Sequence, residues 1–556
     1  MPKEIEESIV AERRAERQVF HNLPKEELVQ HALLLGQGFQ IDVPLPEGGT
    51  AKGAIAVETG EHTARSAQDK FYVKNPESGD IWEKVNKPLT PEDFALLYMD
   101  VDDFLTTQNH EYILDLALGA DVTSATRQLV RIRTHSPWHA LFATNLYREL
   151  TPDEKSRSEQ VDYKSDLEIL HAPGFSASPE RHHTRSGTAI ATDFTNGQAV
   201  ITETQYGGEM KKLGLTWEHY VADREGHAAL HGSLIRKKNG GAVAIMGGSG
   251  TGKSTCAQIQ IYEDGQPTIQ PVGDDEILVD TDGIASNIEG GCYPSVGNID
   301  PIKEPEFFMG SLQATSILEN VKMFEGTLIP DFANLSLTPN TRAAIDLDDM
   351  PNMDKEGIGG PLEDIILLTA DGRGVMPPVA KLRDYEQAMF YLLSGRTSKM
   401  PGKEKGITQL KEESSALLAE PFLVREPRVH AEAIGKIIKE NNINVWLVNT
   451  GWSGGPYGVG ERMDIELTQL IIKAIASDTL KDIATTVDPV FGFEIPNECP
   501  GVDSFLLTPE NAWSDKNAQM SAKLALAQDY VRTFSEKFLP DLDPNMLPIA
   551  QAGPRV

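Results

Sequence analysis

The residues best suited to chemistry lie in one short stretch, Gly247-Gly248-Ser249-Gly250-Thr251-Gly252-Lys253-Ser254, spaced as G-x-x-x-x-G-K-[ST]. Glycines let a backbone turn tightly and approach a polyphosphate, whose charge then faces amide N–H groups and the Lys253 ammonium. Ser254 offers its hydroxyl to a magnesium ion shared with the phosphates. Shortly downstream, Asp274-Asp275 closes the segment Thr268-Ile269-Gln270-Pro271-Val272-Gly273, where a carboxylate can hold a divalent ion directly or through water. Asp280 and Asp282 have a calcium-like spacing but lack the further acidic ligands of such a loop, so Asp280-Thr281-Asp282-Gly283 reads as a hairpin turn.

Around this stretch the apolar run Ala242-Val243-Ala244-Ile245-Met246 predicts the strand that delivers the loop, and Ser254 to Tyr262 predicts the helix that leaves it. Ala228 to Ile235 alternates into Lys238-Asn239-Gly240-Gly241, a hairpin signal feeding that strand. The strand before Asp274 and the run Ile277-Leu278-Val279 make the flanks antiparallel. Elsewhere the first 20 or so residues read as a polar helix, and proline- and glycine-marked elements follow from Gln40 to Gly53. Helical patterns surround Pro91 to Leu105 and Val122 to Leu150, and Thr151 to Arg185 reads as a polar surface excursion. Ala431 to Glu440 and Gln519 to Phe538 are expected to be packed outer helices. The expected fold class is α/β, with an N-terminal lobe over 1–225 and a nucleotide- and metal-binding lobe over 226–556.

The 556 residues carry a net charge of −32, the wrong sign for nucleic acid or an anionic membrane surface. An anionic substrate must therefore be drawn by a local basic cluster. Cys256, Cys292 and Cys499 are too few for a disulfide framework or a zinc knuckle. The stretch Met1 to Asn22 lacks the apolar centre of a secretory signal, and no window holds about 18 consecutive apolar residues. The expectation is a cytoplasmic protein, a monomer or small homo-oligomer, acting on small molecules.

Several short motifs fall in a telling order. They are Thr63-Ala64-Arg65-Ser66-Ala67-Gln68-Asp69-Lys70, Asn86-Lys87-Pro88-Leu89, Tyr206-Gly207-Gly208-Glu209-Met210-Lys211-Lys212, His231, the phosphate loop, Gly273-Asp274-Asp275-Glu276 and Glu289-Gly290-Gly291-Cys292-Tyr293. Asn340-Thr341-Arg342, Leu368-Thr369-Ala370-Asp371, Gly374-Val375-Met376-Pro377-Pro378, Asn449-Thr450-Gly451-Trp452 and Pro500-Gly501-Val502-Asp503 continue it. The ordered set, over roughly residues 55 to 540, resembles the ATP-dependent phosphoenolpyruvate carboxykinase family. That family converts oxaloacetate and ATP to phosphoenolpyruvate, carbon dioxide and ADP, using magnesium on the nucleotide and a second ion, usually manganese, at the substrate. The resemblance implies a two-lobed fold with a phosphate-loop nucleotide lobe and mixed sheets.

Carried over residue by residue, the resemblance makes Gly248, Ser249, Gly250, Thr251, Gly252, Lys253, Ser254 and Thr255 nucleotide contacts. Arg462 and Thr468 fall near the adenine. Lys212, His231 and Asp275 are implied as ligands of the second metal, with Asp274 in the surroundings of the nucleotide's magnesium. Lys212 can ligate only as a neutral amine, because an ammonium has no lone pair. A doubly charged ion about 4 Å away, at an effective dielectric of about 20, disfavours the ammonium by about 8 kcal/mol, which suffices. Arg65 is implied to grip the substrate carboxylate, Tyr206 to lie at the carboxylate or CO2 end, Arg342 to neutralise the transferring phosphoryl, and Lys211 to add positive field. Ser394 to Thr408 resembles the family's lid, which excludes water.

Some positions depart from that pattern. Ser295 stands where a lysine is expected, Gly232 where cysteine is common, Gly395-Arg396 where an aromatic follows the glycine, and Lys411 to Leu418 replaces a Thr-Pro-Thr-Phe-Ser-Ala-Cys-Phe stretch. The altered nucleotide surroundings leave two alternatives, a same-fold kinase with another acceptor and a non-catalytic nucleotide-binding regulator.

Overall fold

The computed structural model describes residues 17–78, 81–248, 251–257, 261–263, 266–399, 411–539 and 547–556. The chain divides into two compact units, Met1–Val221 with Ile288–Pro351, and Ala222–Asn287 with Asn352–Val556. The first change falls close to the expected boundary at 225. The stretch Ile288–Pro351, expected in the second lobe, joins the first unit, because Ile317–Glu319 pairs with both Thr50–Val57 and Arg342–Asp346.

In the first unit a mixed sheet runs Gln18–His21, His110–Leu118, Gln128–Thr134, Leu167–Ala172, Gln198–Thr202, Ala189–Asp193, Lys70–Val73, Lys87–Leu89. Helix Pro91–Thr106 starts where Thr90 accepts a hydrogen bond from the Asp93 amide, and it buries Phe94, Leu97, Val101 and Leu105 against Phe71, Leu170 and Val200. A second sheet orders Gly291–Cys292, Arg342–Asp346, Ile317–Glu319, Thr50–Val57 and Phe39–Pro44. Helix Gly208–Glu225 begins immediately after Tyr206-Gly207.

Three expectations fail in this unit. Residues 1–16 lie outside the described residues, but Gln18–His21 is a strand parallel to His110–Ile113 rather than the end of a polar helix. The helix expected over Val122 to Leu150 is instead strand Gln128–Thr134 followed by helix Pro137–Leu146. Alternation decides this: Leu129, Val130 and Ile132 are buried, while Arg131 and Arg133 reach Asp115 and Glu111 at 2.7 Å each. Within the supposed surface excursion, Leu167–Ala172 pairs in parallel with Gln128–Thr134 and Gln198–Thr202, and its Leu167, Ile169 and Leu170 are fully buried.

The second unit is built on one large sheet. Ala242–Gly247 lies antiparallel to Ala228–Lys237 and parallel to Ile358–Thr369, and Ile358–Thr369 pairs in parallel with Asn444–Asn449. The hairpin and the antiparallel flank Gln266–Gly273 are as expected. Strand Ala228–Lys237 changes partners midway: Ala228 to His231 pair with Glu276–Val279, while Leu234 to Lys237 pair with Gly273 to Ile269. The expected helix Ser254 to Tyr262 is cut short. Helix Lys253–Ala257 is followed, beyond the undescribed 258–260, by strand Ile261–Glu263 against Gln266–Gly273. The apolar positions there recur every second residue, which suits a strand. Helices Pro427–Glu440 and Lys516–Lys537 lie where expected.

At the far end of the forked strand the Lys237 ammonium meets Asp364 at 2.5 Å, Asp478 at 2.8 Å and Glu363 at 2.9 Å. Burial opposes the charge, but the carboxylates, Asp364 foremost, outweigh it and raise the lysine pKa. Asp364 also accepts from the Trp446 indole at 2.9 Å. Lys237→Met strands a buried carboxylate, and unfolding free energy from denaturant titration followed by circular dichroism is expected to fall by about 3 to 5 kcal/mol. Adding Asp364→Asn should recover part of that loss.

Candidate active site

In the second unit the site forms where the forked strand changes partners. His231 is the last residue paired with Glu276–Val279, and Asp274-Asp275 bridges the two strands that diverge there. The Gly232 amide donates to the Asp275 carbonyl at 3.0 Å, and the Ser233 hydroxyl donates to Asp274 Oδ1 at 2.6 Å. Asp275 has φ 83, a left-handed strain held by its surroundings. A Cβ at position 232 would meet the Ile245 carbonyl oxygen at 2.8 Å, which explains glycine where cysteine was expected.

The polar contacts of His231 converge from three sides. Its Nδ1 lies 3.1 Å from the Leu418 carbonyl oxygen and 3.1 Å from the Lys253 ammonium, and its Nε2 lies 2.8 Å from that ammonium and 3.1 Å from Asp275 Oδ1. Lys253 also lies 3.6 Å from Asp275 Oδ1. His231, Asp275 and Glu276 offer atoms within 4.8 Å of one another, and this nitrogen-plus-carboxylate set suits a borderline divalent ion such as manganese. The Leu418 carbonyl is presented by two consecutive leucines with left-handed backbones, Leu417 at φ 54 and Leu418 at φ 56, both buried. The replaced stretch thus keeps a grip on His231, a role sequence reasoning missed because a backbone carbonyl leaves no side-chain signature.

The phosphate loop follows strand Ala242–Gly247. Gly247 has no room for a Cβ, which would meet Thr251 Oγ1 at 2.4 Å, and Gly252 takes φ 96, open to glycine. The Thr251 hydroxyl donates to the Gly248 carbonyl at 2.8 Å, and Gly252 faces Ile465 at the start of helix Ile465–Ala476. Ser249, Gly250 and the Ser254 side chain lie outside the described residues, as do 400–408 of the expected lid; its first part, Arg396–Lys399, pairs antiparallel with Lys411–Ser414. Thr255 is half-buried; its carbonyl accepts from the Gln469 amide at 3.5 Å. Thr468 is buried on helix Ile465–Ala476, and Arg462 stacks over the Trp452 ring at 5.7 Å, its pKa lowered by burial.

In the first unit the basic cluster demanded by the acidic net charge is present. Lys70 is half-buried, and its pKa is lowered to about 8, first by desolvation, with Glu209 opposing and the positive charges of Arg65 and Lys212 adding to the drop. Those influences gather Arg65, Lys70, Lys212 and Glu209 in one neighbourhood. Glu209, buried, accepts from the Ser66 amide at 2.5 Å and so ties the Arg65 loop to the start of helix Gly208–Glu225. Lys212 sits on that helix, its carbonyl accepting from the Thr216 hydroxyl, and Lys211 meets Glu289 at 3.0 Å. Sequence reasoning gave no role to Lys70, Glu209, Glu289 or Tyr293, although each falls inside a recognised motif.

Tyr206 is buried, and its hydroxyl accepts from the Asn340 amide at 3.3 Å; the same amide donates to the Thr63 carbonyl at 2.9 Å. Arg342 donates from Nε to Asn340 at 3.0 Å and from Nη1 to the Tyr293 carbonyl at 3.1 Å. Exposed Ser295 bridges the backbone of Arg342, so the missing lysine leaves its place beside an arginine that is already there. Arg65, Tyr206, Lys211, Lys212 and Arg342 thus belong to the first unit, and the phosphate loop, His231, Asp274, Asp275, Arg462 and Thr468 to the second.

The family model described as phosphoenolpyruvate carboxykinase matches residues 17–505. A Thermus thermophilus protein named phosphoenolpyruvate carboxykinase (ATP) is 38% identical over 544 residues, 97% of this chain and 97% of its own. Proteins of the same name from Brucella suis, 38% identical over 94% of this chain and 93% of theirs, and Brevibacillus brevis, 36% identical over 97% of both, agree. On its motifs, its two mixed-sheet units and this full-length likeness, the chain belongs to the ATP-dependent phosphoenolpyruvate carboxykinase family.

Proposed function

We propose that this enzyme converts oxaloacetate and ATP, reversibly, to phosphoenolpyruvate, carbon dioxide and ADP, in a gluconeogenic or anaplerotic setting. The observation that carries the reading is the meeting of Lys253 with His231 and Asp275, a phosphate-loop cation beside a divalent-ion ligand pair. The proposed second-metal ligands are His231, Asp275 and Lys212; Ser254 is assigned to the nucleotide's magnesium. Divalent ions, when bound, supply Lewis acidity at the oxaloacetate ketone and carboxylate and neutralise phosphate charge.

The chain's own residues do the rest. Arg65 grips a substrate carboxylate with its planar fork, and Tyr206 faces the carboxylate that departs as CO2. Lys253 and Arg342 spread the charge of the phosphoryl group in transfer, while Lys211, held by Glu289, adds positive field. Gly248 to Thr255 take the phosphates, and Arg462 and Thr468 the adenine side. The reaction needs no covalent nucleophile, and all three cysteines are buried, the Cys256 thiol pushed up to about 12. Among the described residues no helix is long and apolar enough to cross a membrane. A cytoplasmic enzyme, monomeric or a small homo-oligomer, completes the reading, its assembly readable by sedimentation velocity.

Incubation with oxaloacetate, ATP, Mg2+ and Mn2+ is expected to yield phosphoenolpyruvate; oxaloacetate left intact under every nucleotide overturns the reading. Lys253→Met should lower kcat by about 100-fold or more while leaving Mn2+ binding in place. Asp275→Asn and Lys212→Met should each weaken Mn2+ by at least about tenfold, read by electron paramagnetic resonance without turnover. Arg65→Lys should raise KM for oxaloacetate by about tenfold, since an ammonium cannot replace a two-point grip.

A further inference from the structure

Strand Ile317–Glu319 lies between Thr50–Val57 and Arg342–Asp346, with Glu319 opposite Arg342 on one side and Val57 on the other. Glu319 is fully buried, and the Tyr293 hydroxyl donates to its Oε2 at 2.7 Å. The Tyr293 ring carries two cations, the Arg342 guanidinium at 5.6 Å and the Lys211 ammonium at 6.0 Å, and lies 6.1 Å from the Tyr206 ring. A phenol that donates to a carboxylate gains electron density in its ring, which strengthens its hold on cations.

We propose that Glu319 is a positioning residue for the reaction: ionised, it fixes Tyr293 and thereby holds Arg342 where the phosphoryl group is transferred; protonated, it loosens that hold. The proposal rests on the role given to Arg342 above.

Among the described residues, Tyr293 and Arg342 are the titratable and charged groups that act on Glu319, with the Gly207 backbone beside them. Arg342 comes from one neighbouring strand, Tyr293 from the segment after Gly291–Cys292, and the Gly207 amide approaches without hydrogen-bond geometry at Oε1. Val57 is the ladder partner of Glu319 on the other side, Phe142 lies with Glu319 Oε1 beside Gly207, and the neighbouring Glu58, exposed, pairs with Lys322 at 3.6 Å. A Cβ on Gly207 would lie 2.7 Å from Glu319 Oε1, so only glycine fits there. Burial raises the Glu319 pKa to about 7, with the Tyr293 hydrogen bond, the Arg342 charge and the Gly207 amide opposing.

A purely structural acceptor for Tyr293 would be better served by an amide. With its folded pKa raised, Glu319 contributes stability that is complete below its unfolded value, near 4.5, and is lost as pH rises through about 7. At working pH the carboxylate therefore weakens the fold, and an isosteric glutamine does not.

The test compares the full-length enzyme with Glu319→Gln from about pH 5.5 to about pH 8.5. The wild-type to variant ratio in kcat is expected near one at the acid end and to climb through about pH 7 to about tenfold, with KM for oxaloacetate and ATP within about threefold. Thermal midpoints should run the other way, the variant melting higher above pH 7 and the difference closing toward acid pH. Tyr293→Phe, which keeps the ring and removes the hydroxyl, should flatten the same pH limb. A kcat ratio constant across pH, or a variant as fast as wild type at the alkaline end, overturns the positioning role. A wild-type enzyme that makes no phosphoenolpyruvate overturns the functional reading and this role together.

Discussion

A histidine and a carboxylate that share one cation organise the second unit's site. His231 Nε2 and Asp275 Oδ1 lie 3.1 Å apart, Lys253 reaches both, and with Glu276 they form a cluster whose donor set suits a divalent ion. Backbone holds both groups. The Leu418 carbonyl lies against His231 Nδ1, and the Gly232-to-Asp275 amide bond sets where the carboxylate starts. The partner change in Ala228–Lys237 opens the gap that Asp274-Asp275 occupies.

The phosphate loop was legible from the sequence because its glycines answer to backbone geometry and its flanking strand to hydrophobicity, both local properties. The hairpin before it was legible for the same reason. The strands Gln128–Thr134, Leu167–Ala172 and Ile261–Glu263 were misread because short, charge-interrupted segments commit only when a neighbour pairs with them. Their arginines and glutamates look solvated until Asp115 or Glu111 is placed opposite.

The site residues divide similarly. Lys253, Asp274 and Asp275 announced themselves by type and spacing, whereas Arg65, Lys212, His231 and Arg342 emerged through the resemblance, being single polar residues far apart in the chain. Their supports were silent. Glu209, Glu289 and Glu319 are buried carboxylates whose purpose is visible only beside the Ser66 amide, the Lys211 ammonium and the Tyr293 hydroxyl.

The return of Ile288–Pro351 to the first unit has a consequence for synthesis. Strand Thr50–Val57 leaves the ribosome early but receives Ile317–Glu319 only after the whole of Ala222–Asn287 has been translated. That intervening piece in turn waits, since Ala242–Gly247 needs Ile358–Thr369 for its parallel partner. Neither unit can therefore finish co-translationally before the other is well under way. Their folding is interleaved in time, and a nascent chain stalled after Gly247 and before Ile317 holds two open sheets for a chaperone to shield.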